Sequence, residues 1–275
     1  MTAHESVTWL FVPGNREDRF ERAAVSGADE VILDLEDAVA AGAKDAARRQ
    51  VGSWLDGRGA GWVRVNAIGT AWHRDDLAAV VGRAGLRGVV VPKAEDPDSL
   101  VRLRERLPTG VGLVALVESA VGIDRVSAVA ASGAADRLAF GSVDFALDIG
   151  ADESDQAALL FARSCLVVAS RAGSLPPPLD GVTASTTDDA EAREAAARAR
   201  ALGFGGKLCI HPRQVEPVAE GFRPTAAQLA WATRVLGEPG TDDTDRDVVS
   251  VDGQMVDRPV LARARSIVAR AGVRE

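Results

Sequence analysis

Apolar residues along this chain come in short runs, and between the runs they recur at helical intervals. The runs are VTWLFVPG (7–14), EVILDLED (30–37), WVRVN (62–66), GVVVPK (88–93), VGLVALVES (111–119), RLAFGSVD (137–144), PLDGVT (178–183) and GKLCIHP (206–212). Near-continuous Val, Ile and Leu mark strands buried on both faces, as in a parallel sheet. The intervening segments, among them KDAARRQVGSWL, DPDSLVRLRERL and DDAEAREAAARARALG, space their apolar positions three and four apart. Several end at Gly, a helix C-terminal signal. Eight strand–helix units in 275 residues predict an α/β chain folded as a (β/α)8 TIM barrel. An open doubly wound sheet is the alternative. Against it, FVPGN after the first strand has one Gly where the dinucleotide fingerprint needs several.

The strand–helix units end near residue 237, so residues 1–237 are expected to form the barrel and its active site. Residues 238–275 change character, with an acidic linker, then GQMVD, then a basic amphipathic helix. This reads as a C-terminal extension too short to have a core of its own.

Composition narrows the function. The net charge of −8 argues against a sequence-independent grip on nucleic acid, which needs a basic face. A local Arg or Lys cluster can still hold a small anion. The two cysteines, Cys165 and Cys209, have no CxxC spacing. Neither a disulfide framework nor a cysteine zinc site is expected, and a reducing cytoplasm fits. No signal peptide or membrane span is apparent.

Chemistry gathers where the strands end, and in a TIM barrel the C-terminal strand ends form the active site. Asp34, Glu36 and Asp37 close strand 2, Arg64 and Asn66 strand 3, and Lys93 strand 4. Glu118 closes strand 5, Asp144 strand 6 and His211 strand 8. A carboxylate at a buried strand end is costly unless it is paired or binds a metal. Glu118 and Asp144 could supply two oxygen ligands to Mg2+, which commonly takes one or two carboxylates and keeps open positions. The competing reading is a pair of structural ion bridges to Arg64 or Lys93. Arg64 has the planar fork suited to a carboxylate or an oxyanion. Asp34, Glu36 and Asp37 are expected to hold loops, cap helix 2 or support the site. Cys209 is expected in the core, and His4 and His73 on the surface.

Eight segments in order, FVPGNRED, VILDLEDAV, VRVN, VPKAED, ALVESAVG, FGSVDFALDIG, KLCIHPRQV and GQMVDRPV, resemble the citrate lyase β-subunit-like (CitE-like) proteins of the HpcH/HpaI aldolase superfamily. The resemblance runs from about residue 7 to 262. It implies a (β/α)8 barrel assembled as a homotrimer or a dimer of trimers. It also implies Mg2+ and reversible carbon–carbon cleavage of a 3-hydroxyacyl-CoA thioester into a 2-keto acid and an acyl-CoA such as acetyl-CoA. Carried over position by position, Glu118 and Asp144 match metal ligands, with Glu118 also near substrate. Arg64 matches the substrate arginine. Asp257 matches an acid that reaches a neighbouring subunit's site. Ile210, His211 and Pro212, with the start of helix 1, match the thioester or CoA lining. Some relatives carry lysines in helix 1; Arg16, Arg19 and Arg22 stand here at different offsets. Without the resemblance, Asp257 reads as the N-cap of the last helix.

Two other functions remain open at this point. One is a class II aldolase acting on free hydroxy-keto acids. The other is a lyase subunit or binding module that acts only within a larger citrate-lyase-type complex.

Overall fold

The computed structural model describes residues 5–237, 249–251 and 254–272. The acidic linker after residue 237 and His4 lie outside the described residues. All eight expected strands form, and they close into one parallel barrel in sequence order. The strands are β1 (Thr8–Pro13), β2 (Glu30–Asp34), β3 (Gly61–Arg64), β4 (Leu86–Val91), β5 (Gly112–Val117), β6 (Arg137–Phe140), β7 (Leu179–Asp180) and β8 (Gly206–Cys209). The major helices between them are α1 (Phe20–Ala24), α2 (Lys44–Asp56), α3 (His73–Val80), α4 (Pro97–Arg104), α5 (Ala120–Asp124), α6 (Val126–Ala131), α7 (Ser142–Ile149), α8 (Leu160–Ala172) and α9 (Asp189–Leu202). After β8 comes α10 (Val215–Phe222).

Strand periodicity sorts the apolar residues into two layers. Trp9, Ile32, Trp62, Val90, Val114, Leu116, Ala139, Leu179 and Leu208 fill the barrel. Their neighbours, such as Leu33, Val63, Val89, Leu113, Ala115 and Leu138, pack outward against the helices. Trp9 and Trp62 meet with ring centroids 4.9 Å apart. Room for the Trp62 indole exists because β4 and β5 carry Gly beside it. A Cβ on Gly88 would lie 2.2 Å, and one on Gly112 2.4 Å, from its ring atoms.

Two details differ from the sequence reading. The run ending at Asp144 is not all strand: β6 stops at Phe140 and α7 begins at Ser142, with Gly141 at its N-cap. Asp144 therefore lies in the first turn of a helix rather than on a strand. The chain also divides after Phe222, not after residue 237. The reason is α11 (Ala226–Gly237), which packs on α12 (Arg258–Gly272).

The second unit also contains β9 (Val249–Val251) paired antiparallel with β10 (Gln254–Val256). It has a small core of its own, formed by Ala232, Val235, Val256, Ala264 and Ile267. Val256, Ala264 and Ile267 thus build this core together with α11 rather than alone. Among the described residues, no helix is long and apolar enough to cross a membrane.

Candidate active site

Period two also decides which polar side chains enter the barrel. In β5, Val114 and Leu116 point inward, so the next inward position, one step past the strand, is Glu118. In β3, Trp62 is followed inward by Arg64. In β2, Ile32 is followed inward by Asp34. Asp34 and Arg64 are register partners across β2 and β3, so they meet on the same face.

Asp34 grips Arg64 with both oxygens, at 2.8 Å from Nε and 2.7 Å from Nη2. The same carboxylate accepts the N–H groups of Glu36 and Ala38, at 2.9 and 3.1 Å. Lys44 closes the loop from the other side, donating to the carbonyls of Leu35 and Glu36. Asp34 thus holds the loop, as expected of this group of acids, while none of the three caps α2. Arg64 also lies over the Phe11 ring, 4.9 Å from its centroid. Glu36 Oε2 stands 3.0 Å from Arg64 Nη1, an ion contact without hydrogen-bond alignment. Burial pushes Glu36 up to about 8, with Arg64 opposing that shift. Asp34 thus holds Arg64 through two hydrogen bonds, whereas Glu36 makes an ion contact with it.

Glu118 is 2% exposed. Its Oε1 accepts the Lys93 backbone N–H at 3.0 Å and lies 3.6 Å from Lys93 Nζ. Burial pushes its carboxyl up to about 7; Lys93 opposes the shift and Asp144 adds to it. The competing sequence reading is thus partly realised: Glu118 has an ion contact, with Lys93, while Arg64 pairs with the β2 acids. Gly141 makes room for Glu118. A Cβ there would lie 2.4 Å from Glu118 Cβ and 2.5 Å from its Oε2.

A cavity of about 310 Å³ opens beside these groups. Arg64, Glu118, Asp144 and Ile210 face it together, beside apolar walls from Phe11, Leu116, Phe140 and Leu208. Arg16, His211 and Pro212 are not among its lining residues. Arg16 is exposed and pairs with Asp18 at 2.8 Å. His211 caps a short 3-10 turn (Pro212–Gln214), where its Nδ1 accepts the Arg213 N–H at 3.2 Å.

Asp257 lies in the second unit, where its Oδ1 accepts the Val260 N–H at 3.1 Å and caps α12. Cys209 is buried, as expected. His73 is a correction: it is half-buried, with Nδ1 2.7 Å from the Asn66 carbonyl oxygen.

Among the described residues there is no cluster of three or more His, Cys, Asp or Glu able to hold a metal. The pair Glu118 and Asp144 nevertheless suits a hard divalent ion that keeps waters or substrate oxygens as its other ligands. A cation there would offset the burial that raises the Glu118 carboxyl. The sequence reading missed three contributors: Phe11, Lys44 and Gly141. Phe11 was legible as an inward strand position. The other two depend on contacts across the fold.

Comparison with known proteins finds relatives over most of the chain. Residues 8–212 match the family model HpcH/HpaI aldolase/citrate lyase. A citrate lyase subunit beta-like protein of Mycobacterium tuberculosis is 37% identical, over 96% of this chain and 95% of its own length. A (3S)-malyl-CoA thioesterase of Cereibacter sphaeroides is 32% identical, over 98% of this chain and 95% of its own. The crystal structure of CitE from Mycobacterium tuberculosis in complex with magnesium, acetoacetate and coenzyme A superposes with a TM-score of 0.85 at 35% identity, covering 98% of this chain and 99% of that one. With a closed eight-stranded barrel, inward acids at its mouth and a family match over most of its length, the chain belongs to the HpcH/HpaI aldolase/citrate lyase family.

Proposed function

We propose that this chain is a Mg2+-dependent carbon–carbon lyase that cleaves or forms a 3-hydroxyacyl-CoA thioester, exchanging it for a 2-keto acid and an acyl-CoA such as acetyl-CoA. The observation that carries the reading is the convergence of Glu118, Asp144 and Arg64 on one small cavity. Support comes from the relatives, one named for malyl-CoA chemistry and one solved with magnesium, acetoacetate and coenzyme A.

Glu118 and Asp144 would hold the ion. Once bound, Mg2+ supplies Lewis acidity toward the substrate's carboxylate and hydroxyl oxygens. Arg64 stays charged throughout and cannot swing away, because Asp34 takes two of its N–H groups. Glu36 stands beside Nη1, and the N–H groups that remain would meet a keto-acid carboxylate or negative charge that develops as the bond breaks. The apolar walls keep water away from that charge. A thioester makes its own α-carbon acidic enough for enolate chemistry, so no Schiff-base lysine is required. Asp257 of a neighbouring copy would give the proton to the enolate carbon, or remove it in the synthetic direction. Ile210, His211, Pro212 and Arg16 are the proposed CoA-side residues. The assembly is a homotrimer or a dimer of trimers.

Asp257→Asn separates that acid's two roles, because Asn caps a helix about as well as Asp. The variant should keep its fold and lose proton exchange at the α-carbon of acetyl-CoA. Unchanged exchange would leave Asp257 only its capping role. The thioesterase relative favours a second outcome, in which the product thioester is also hydrolysed. Free thiol accumulating alongside keto acid would reveal it.

A further inference from the structure

We propose that the Lys93 ammonium is the resident counter-charge of Glu118 and competes with a divalent ion for that carboxylate, so that Lys93 sets the metal affinity of the site. The proposal rests on the reading of Glu118 as a metal ligand. Lys93 follows β4 and meets Glu118 twice, through its backbone N–H at 3.0 Å and its Nζ at 3.6 Å, both on Oε1.

Its backbone is held in an unusual state for this contact. Lys93 has φ +49°, and only Ser174 shares a positive φ among the described non-glycine residues. Residues with a Cβ seldom adopt that region, and do so mainly where the surroundings dictate it. Here the flanking hydrogen bonds do so: Lys93 N–H to Glu118, and Ala94 N–H to the Leu116 carbonyl at 3.1 Å.

Two cations stand near the acids, and they are built differently. Arg64 is held by Asp34 with both oxygens, and its side chain is only 12% exposed. It is a fixed charge. The Lys93 side chain is 47% exposed, against 1% for its partner Glu118. It carries a compact charge on a flexible stem and can withdraw into solvent while its backbone keeps its place. A divalent ion between Glu118 and Asp144 would repel that ammonium and remove the reason for its position. Without the ion, the ammonium partly compensates a carboxylate that is otherwise buried in an apolar barrel. Lys93 thus acts through Glu118 as a positioning residue.

The test is Mg2+ binding by titration calorimetry, together with the Mg2+-induced rise in thermal midpoint. Both are measured on the full chain as wild type, Lys93→Met, Lys93→Gln and Lys93→Arg. Met and Gln remove the charge and retain a side chain of similar reach; Arg keeps the charge. The expected result is that Met and Gln tighten Mg2+ binding by about tenfold, the low end of what a nearby charge does to an ionisable partner. Their metal-free midpoint falls and the gain from Mg2+ grows, while Arg stays near wild type. A purely structural lysine predicts weaker binding in Met and Gln. Wild-type or weaker affinity in both, with the wild type binding normally, overturns the competition and leaves the metal site standing. No binding by the wild type or by either neutral variant overturns the metal assignment itself, and this proposal with it.

Discussion

Each acid at the barrel mouth has a different environment, and the environments assign different tasks. Asp34 is saturated, with Arg64 on both oxygens and two backbone N–H groups besides. Asp144 sits in the first turn of α7 beside the Glu118 carboxylate. Asp144→Ala should abolish turnover and leave the fold intact, since a half-buried helix residue carries little of the core. Circular dichroism and a kinetic assay check the two halves of that statement, and wild-type rates at saturating Mg2+ would remove Asp144 from the metal site. Gly141 makes a sharper demand. Gly141→Ala would press a methyl carbon against Glu118 and should weaken Mg2+ binding even though no ligand atom is changed. Calorimetry returning wild-type affinity would mean that Glu118 can relax without consequence. Arg64 and Glu118 could be picked out from the sequence because strand alternation carries past the strand end. The Gly141 contact could not, because sequence does not supply distances between neighbouring strands.

At the level of elements, eight short apolar runs were sufficient to place eight strands, since buried parallel strands leave a strong and local signal. Boundaries were less legible. β7 is two residues long, Leu179–Asp180, and follows Pro176, Pro177 and Pro178, which cannot donate ladder hydrogen bonds. The apolar stretch after β5 breaks into α5 and α6 at Arg125, and no Gly or Pro announces that break. The anchoring of β7 and β8 was also hidden. Asp180 lies between Arg163, at 2.8 Å, and Lys207, at 3.1 Å, all three buried. Burial acts to raise the Asp180 carboxyl, but Lys207 and Arg163 outweigh it and hold it below the ordinary range. Asp180→Asn should therefore destabilise the protein by about 3–5 kcal/mol at neutral pH, because it leaves two cations buried without their carboxylate. The folded pKa is depressed, so this stabilisation is complete above the unfolded value of about 3.9 and fades as pH falls through the folded value. Denaturant melts should show the gap between wild type and variant closing on acidification. A gap that stays constant would mean that Asp180 titrates no differently in the two states.

The whole molecule presents an apolar face on α5, α7 and α8. Leu147 is 80%, Phe161 73% and Val168 67% exposed. Phe161 and Val168 border one groove with Ile123, Phe145 and Ile149, and an exposed apolar patch often marks an interaction surface, which supports the proposed assembly of copies of this chain. Leu147→Lys with Phe161→Glu should shift the particle toward monomer in light scattering, and an unchanged mass would place the interface elsewhere. The family was legible because its motifs sit on the strand ends. The substrate was not, because acyl chains that differ by one small group depend on pocket shape. The central claim is metal-dependent cleavage of a CoA thioester, and it is tested most directly by offering the purified chain a panel of 3-hydroxyacyl-CoA esters with Mg2+ and with EDTA while keto acid is detected. Release from at least one ester that requires Mg2+ and stops with EDTA is the predicted result. No release from any ester, with Mg2+ demonstrably bound, would contradict it and point to a free-acid aldolase or to a subunit that needs its complex.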